Sequence, residues 1–139
     1  MGLNPERILG AALANGGALH AIEQASRYAN ERAVWGKPIG THQGIAHPLA
    51  EAKIEVELAR LMQMKAAWLF DAGKDAGEAS NMAKFAAGEA ATRAVDTAIQ
   101  VHGGNGMSEE YGLVSLWAMA RPLRIAPVRA LAPSTMNRR

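Results

Sequence analysis

A carboxylate and a guanidinium stand side by side near the start of the chain, in Asn4-Pro5-Glu6-Arg7. A carboxylate such as Glu6 can abstract a proton if it is held within reach of that proton and its surroundings raise its proton affinity towards neutrality. The position also has a plainer reading. An acid in a first helical turn is favoured by the helix dipole whatever its function, and the dipole opposes the proton affinity that a base needs. Arg7 could hold the charge of such a base or orient a substrate; as a surface ion pair it would contribute only ~0–1 kcal/mol.

A second set of groups suits anionic oxygen. Arg32 precedes the loop Trp35-Gly36-Lys37-Pro38-Ile39-Gly40, and a guanidinium offers a rigid donor fork that matches phosphate oxygens. Its plainer role is a cation at a helix C-terminus. Gln100 leads into Gly103-Gly104-Asn105-Gly106, a turn whose backbone N–H groups can cradle an anion; glycines there could equally end a long helix. The histidines His20, His42, His47 and His102 show no metal-ligand spacing and read as surface or packing residues, so no metal site is expected. Met62, Met64 and Met82 read as core filler, and Trp68 and Trp117 as anchors of the core or of an interface.

The elements that must position these groups read as four helices. Asn4 suits an N-cap and Pro5 the first helical position. Ile8, Leu9, Ala12, Leu19, Ile22 and Tyr28 then recur at helical spacing, which predicts a helix to about Arg32, interrupted at Gly16-Gly17. Thr41 is placed to cap a second, long helix with Ile45, Leu49, Ile54, Leu58, Leu61, Met62, Leu69 and Phe70 in its apolar stripe. Pro48 is expected to kink it and Gly73 to stop it. Asp75 and Glu78 have capping-box spacing for a third helix that ends before Gly103. Ser108 is placed to cap a shorter fourth helix through about Met119. Pro122, Pro127 and Pro133 then make regular structure doubtful. The expected fold is all-α, an up-and-down four-helix bundle over 1–124, with an irregular tail over 125–139.

Composition narrows the classes. The 139 residues are one domain by length, rich in alanine and sparse in β-branched residues, so a sheet is not expected. A net charge of +2 with interspersed signs is no footprint of nucleic-acid binding. Cysteine is absent, which excludes disulfides and thiolate chemistry and fits a reducing compartment. Neither a membrane-length apolar run nor a signal-peptide pattern is present, so the chain reads as cytoplasmic, with no membrane partner.

Several segments, in order and at matching spacing, resemble the C-terminal helical domain of the FAD-dependent acyl-CoA dehydrogenases. They are Arg27-Tyr28-Ala29-Asn30-Glu31-Arg32-Ala33-Val34-Trp35-Gly36-Lys37-Pro38-Ile39, His42-Gln43-Gly44-Ile45, Ala98-Ile99-Gln100-Val101-His102-Gly103-Gly104-Asn105-Gly106, Glu110-Tyr111 and Ala120-Arg121. The resemblance implies α,β-dehydrogenation of an acyl-CoA thioester, with FAD as hydride acceptor and an electron-transfer flavoprotein as electron acceptor. Most of the family carry the catalytic base late in this domain. Here that stretch is Ile125-Ala126-Pro127-Val128-Arg129, which lacks a carboxylate. A minority carry it on the first helix, where Glu6 stands, beside Arg7 at a position that neighbours the active site.

Arg32 and Trp35, the latter in place of a usual phenylalanine, would meet the FAD of a neighbouring subunit. Gln43 would approach its adenine side, and Gln100, Gly103 and Gly104 its diphosphate. Met119 replaces a usual aspartate. The resemblance also implies a homo-oligomer, dimer or tetramer, and N-terminal helical and β-domains that this chain lacks, so it reads as a fragment. Two alternatives stand beside the dehydrogenase: a non-catalytic oligomerisation bundle, and an oxidase or monooxygenase relative of the same fold.

Overall fold

The computed structural model describes residues 3–125. Four α-helices account for most of them: α1 over Asn4–Glu31, α2 over Gln43–Asp71, α3 over Gly77–His102 and α4 over Leu113–Ile125. Gly10 lies against Lys84, and Tyr28 against His102, so α1 and α3 run in the same direction. The short link after α2 turns α3 antiparallel to it, with Glu55 paired to Arg93 across the two. The result is the expected up-and-down bundle. The irregular tail expected over 125–139 lies outside the described residues from 126 onward, and Ile125 itself is helical.

The interior is built of alanine. Ala11, Ala18, Ala25, Ala83, Ala87 and Ala94 are fully or almost fully buried, and the largest fully buried side chains are Leu113, Val56 and Val95. Small side chains let helix axes approach the near end of the usual ~8–10 Å range. Of the large residues of the expected stripes, Ile22 and Leu49 are buried and Ile8, Leu19, Tyr28, Ile45 and Leu69 pack against the core, but others find no room inside. Leu9, Ile54, Leu58 and Leu61 are exposed, as are Met64 and Met82, so the latter two are not core filler; Met62 is half-buried. Helical spacing marked the face in each case, but the core centres on the alanines beside these exposed side chains.

Close approach is clearest at the glycines. Gly17 does not interrupt α1; a Cβ there would lie 3.3 Å from Leu116 of α4. At Gly106 a Cβ would stand 2.5 Å from the carbonyl oxygen of Ile99, which is backbone and cannot swing away. Gly106→Ala is therefore expected to destabilise the fold by about 1–3 kcal/mol, read as a lower urea midpoint. An unchanged midpoint would show that the turn after α3 does not pack this tightly.

Helix ends depart from the expected caps. Leu3 occupies the N-cap of α1, and Asn4 instead accepts a bond from Arg7 Nη1 at 3.3 Å. His42, not Thr41, caps α2; the Thr41 hydroxyl donates to Pro38 O at 2.7 Å. Pro48 sits inside α2 without ending it. Gly73 does end that region, at φ +67, with Gly73 N–H bonding Phe70 O and Lys74 N–H bonding Leu69 O. This is the Schellman arrangement, for which only glycine is free of a Cβ penalty.

Ala76 caps α3, while Asp75 Oδ1 accepts from Gly77 N–H at 3.0 Å in place of a capping box. Ser108 precedes a short 3-10 turn, its hydroxyl donating to Asn105 O at 2.8 Å, and α4 starts later, at Leu113. That helix passes through Pro122. Its last turn is held from outside: Arg124 pairs with Glu89 at 2.7 Å, and the buried Lys84 ammonium donates to the Leu123 carbonyl. A cation on an orphan C-terminal carbonyl complements the helix dipole, and burial lowers the Lys84 pKa below its ordinary value.

Candidate functional site

Two groups of candidate residues lie at opposite ends of the bundle. The 28 residues of α1 at 1.5 Å each span about 42 Å. Glu6 and Arg7 lie in its first turn, and Arg32 caps its end.

The Arg32 end is tied together by side chains. The Tyr28 ring stacks on His102 with centroids 4.2 Å apart, and the Tyr111 ring packs edge-on to both. Asn105 Nδ2 donates to the Tyr28 hydroxyl at 2.9 Å, and Gln24 Nε2 to Tyr111 O at 3.0 Å. His102 Nδ1 faces Ala98 O at 2.7 Å. Since a carbonyl only accepts, that nitrogen carries the proton. The last turns of α1, which lead into Arg32, are thereby tied to the Gly103–Gly106 turn. His102 is a packing residue, as one of its expected roles had it. Tyr28 and Asn105 were missed as positioning groups. They stand 77 residues apart, and no local spacing could pair them.

Beyond Arg32 the chain forms a two-residue ladder, β1 (Ala33–Val34) against β2 (Lys37–Pro38), where only a loop was expected. Its tip residues Trp35 and Gly36 both have positive φ, +52 and +77, as a type I′ hairpin turn demands. Glycine adopts this freely, but for a bulky L-residue it costs on the order of 1–2 kcal/mol. Trp35 is also 90% exposed, and its ring packs only edge-on to His42, with centroids 6.3 Å apart, so most of the indole is left uncovered by the described residues.

The other groups at this end are open. Arg32, Gln43 and Gln100 are exposed, and their side chains make no hydrogen bond to other described residues. A Cβ added at Gly103 or Gly104 would meet nothing within 4 Å. Free donors, bare turn backbone and an exposed indole together fit a ligand with anionic oxygens and a flat ring, as FAD is.

At the other end, Glu6 is exposed and takes part in no ion pair among the described residues. Arg7 is half-buried. Its Nη1 bonds Asn4, and its buried Nε has no partner. The described residues do not by themselves cover Glu6 with the apolar surroundings a base requires. The stretch from Ala126 to Arg129, where a late base would sit, lies outside them.

The family model described as acyl-CoA dehydrogenase, C-terminal domain, matches residues 1–127. The chain belongs to the acyl-CoA dehydrogenase family. It is 57% identical over 129 residues to acyl-CoA dehydrogenase FadE12 of Mycobacterium tuberculosis, covering 91% of this chain and 33% of that protein. Among solved structures it is similar to butyryl-CoA dehydrogenase from Megasphaera elsdenii (35% identity, TM-score 0.87, 89% of this chain and 32% of that one). It is also similar to PigA, solved with FAD and proline (33% identity, TM-score 0.86, 89% of this chain and 32% of that one). The chain thus spans about a third of the length of the acyl-CoA dehydrogenases and relatives it matches. The all-α bundle expected from its sequence is the fold of this family's C-terminal domain. No helix among the described residues is long and apolar enough to cross a membrane.

Proposed function

We propose that this chain supplies the C-terminal-domain share of an FAD-dependent acyl-CoA dehydrogenase. The 1–124 bundle acts together with the family's N-terminal helical and β-domains, in the cytoplasm, as a homo-oligomer. The observation that carries this reading is the grouping of Arg32, Trp35, Gln43, Gln100, Gly103 and Gly104 at one end, with the Arg32, Gln43 and Gln100 side chains unpaired and open space around Gly103 and Gly104.

At that end Arg32 would neutralise and orient the FAD diphosphate. With the Gly103 N–H held by Gln100 O, Gly103 would let the cofactor approach, the Gly104 N–H and the Gln100 side chain would bond its oxygens, and Gln43 would bond the adenine side. The Trp35 indole would lie against the cofactor, which would cover the face of the strained hairpin tip that its edge-on contact with His42 leaves open. FAD, when bound, supplies the two-electron acceptor that takes the hydride from the β-carbon. At the far end Glu6, once the thioester and the other domains exclude water around it, would accept the proton leaving the α-carbon. Arg7 would hold the resulting charge balance and orient the acyl-CoA. The electrons would pass onward to an electron-transfer flavoprotein.

One flavin cannot touch both ends of a helix about 42 Å long. The Arg32 end of one copy therefore serves the flavin of a neighbouring copy, while its Glu6 serves its own.

The cofactor contacts are tested by flavin titration of the complete protein. Arg32→Ala is expected to weaken FAD binding about 10- to 100-fold, the loss of a hydrogen bond to a charged group. Gly104→Ala should weaken binding while leaving the thermal midpoint unchanged, because its Cβ meets no protein atom within 4 Å. Full flavin occupancy in both variants would remove this end from cofactor binding.

A further inference from the structure

One costly side chain is buried close to Glu6. Lys84 of α3 is 3% exposed. It takes part in no ion pair among the described residues, and its ammonium is spent on the Leu123 carbonyl of α4. A buried charge is normally paired, and burial holds the Lys84 pKa below its ordinary value. An apolar side chain of similar volume would fill the same space without that cost, so the amine is kept for what it holds.

What it holds is the end of α4, and that end is aimed at Glu6. Glu6, Gly10 and Gly17 are spaced by four and seven residues, which puts them in one stripe of α1. The fourth helix lies along this stripe. A Cβ at Gly17 would stand 3.3 Å from Leu116, and one at Gly10 would stand 3.3 Å from Cε of Lys84, whose ammonium reaches Leu123. The two contacts are seven residues apart on each helix, so α4 runs antiparallel to α1. Gly10 is about 6 Å along the axis from Glu6, and Ile125 comes level with Ile8. Ile125 is 69% exposed, an apolar group near a carboxylate that needs apolar cover to act as a base. The same turn is seated on α3 by Gly88, where a Cβ would stand 3.0 Å from Leu123 O, and by the Arg124–Glu89 pair.

We infer that Lys84 is a positioning residue for proton abstraction, fixing where the last turn of α4 and its Ile125 stand against Glu6. This rests on the reading of Glu6 as the base. Being buried, Lys84 acts through the backbone of α4 and not on the thioester itself.

The complete enzyme tests this by stopped-flow flavin reduction with straight-chain acyl-CoAs from butyryl to palmitoyl, unlabelled and deuterated at the α-carbon. Lys84→Met is expected to slow reduction about 10- to 100-fold per bound flavin, the cost of misplacing a reacting group. The α-deuterium isotope effect should rise. FAD content should stay unchanged, because the Arg32 end is untouched. Glu89→Gln, which releases Arg124 at the surface, should slow reduction about two- to fivefold. Glu55→Gln breaks the pair with Arg93 on the α2 side and should run at the parent rate. A merely structural lysine would lower the thermal midpoint and leave rate and isotope effect per flavin unchanged. That result for Lys84→Met, beside an inactive Glu6→Gln, would overturn the inference and leave the base standing. If Lys84→Met does not fold, Glu89→Gln decides alone, and parent kinetics there would overturn the inference. Parent turnover by Glu6→Gln would overturn the base and this inference together, whatever Lys84→Met does.

Discussion

Replacing Glu6 by glutamine in the complete enzyme is expected to lower kcat by about 10²–10⁴-fold, the usual contribution of a positioned general base. The amide keeps the shape of the side chain and loses only the ability to take a proton. Glu6 is exposed and unpaired among the described residues, so the bundle does not depend on its charge. Flavin content, helicity and acyl-CoA affinity should therefore be unchanged. The loss should appear equally in kcat and kcat/KM, the pattern of an interaction made only in the transition state. Stopped-flow flavin reduction measures the step directly. Turnover at the parent rate would remove Glu6 from the mechanism and leave the bundle in a purely structural role.

Mixing that variant with Arg32→Ala is expected to restore activity that neither has alone. Each single variant damages every site it forms. In a mixed dimer, the Arg32→Ala copy keeps Glu6 and receives an intact Arg32 from its partner, so one site of two is whole. Random pairing of equal amounts makes half of the dimers mixed, giving about a quarter of the parent activity in a twofold assembly. If both groups served one flavin in one copy, mixing would recover nothing. The separation that demands this outcome is the length of α1, whose ends cannot meet around a single cofactor.

Four helices were legible in the chain, and so were the glycine stops of α2 and α3, but not the residues that cap the helix starts. Gly73 stops α2 because only glycine takes its positive φ without penalty, and that requirement is local. The fourth helix was misplaced at both ends for reasons that are not local. Ser108 spends its hydroxyl on Asn105 O rather than on a cap. Pro122 is carried within α4, whose last turn is held by Lys84 and Glu89 from α3. The Trp35 hairpin was also hidden, since a tryptophan at positive φ contradicts its own local preference.

The sequence by itself determined the helices, the alanine-rich composition of their contacts and the order of motifs that identifies the family. These depend on residue type and on spacings within a few turns. Only the tertiary structure decided which face of each helix is inside. With alanine able to line close-packed axes, only a few large side chains such as Ile22, Leu49 and Leu113 went inside, while Ile54, Leu58 and Leu61 of α2 stayed on the surface. The tertiary structure also decided that Glu6 and Arg32 stand apart while Tyr28 and Asn105 meet. Proximity across 77 residues is fixed by how helices pack, which no one-dimensional period encodes.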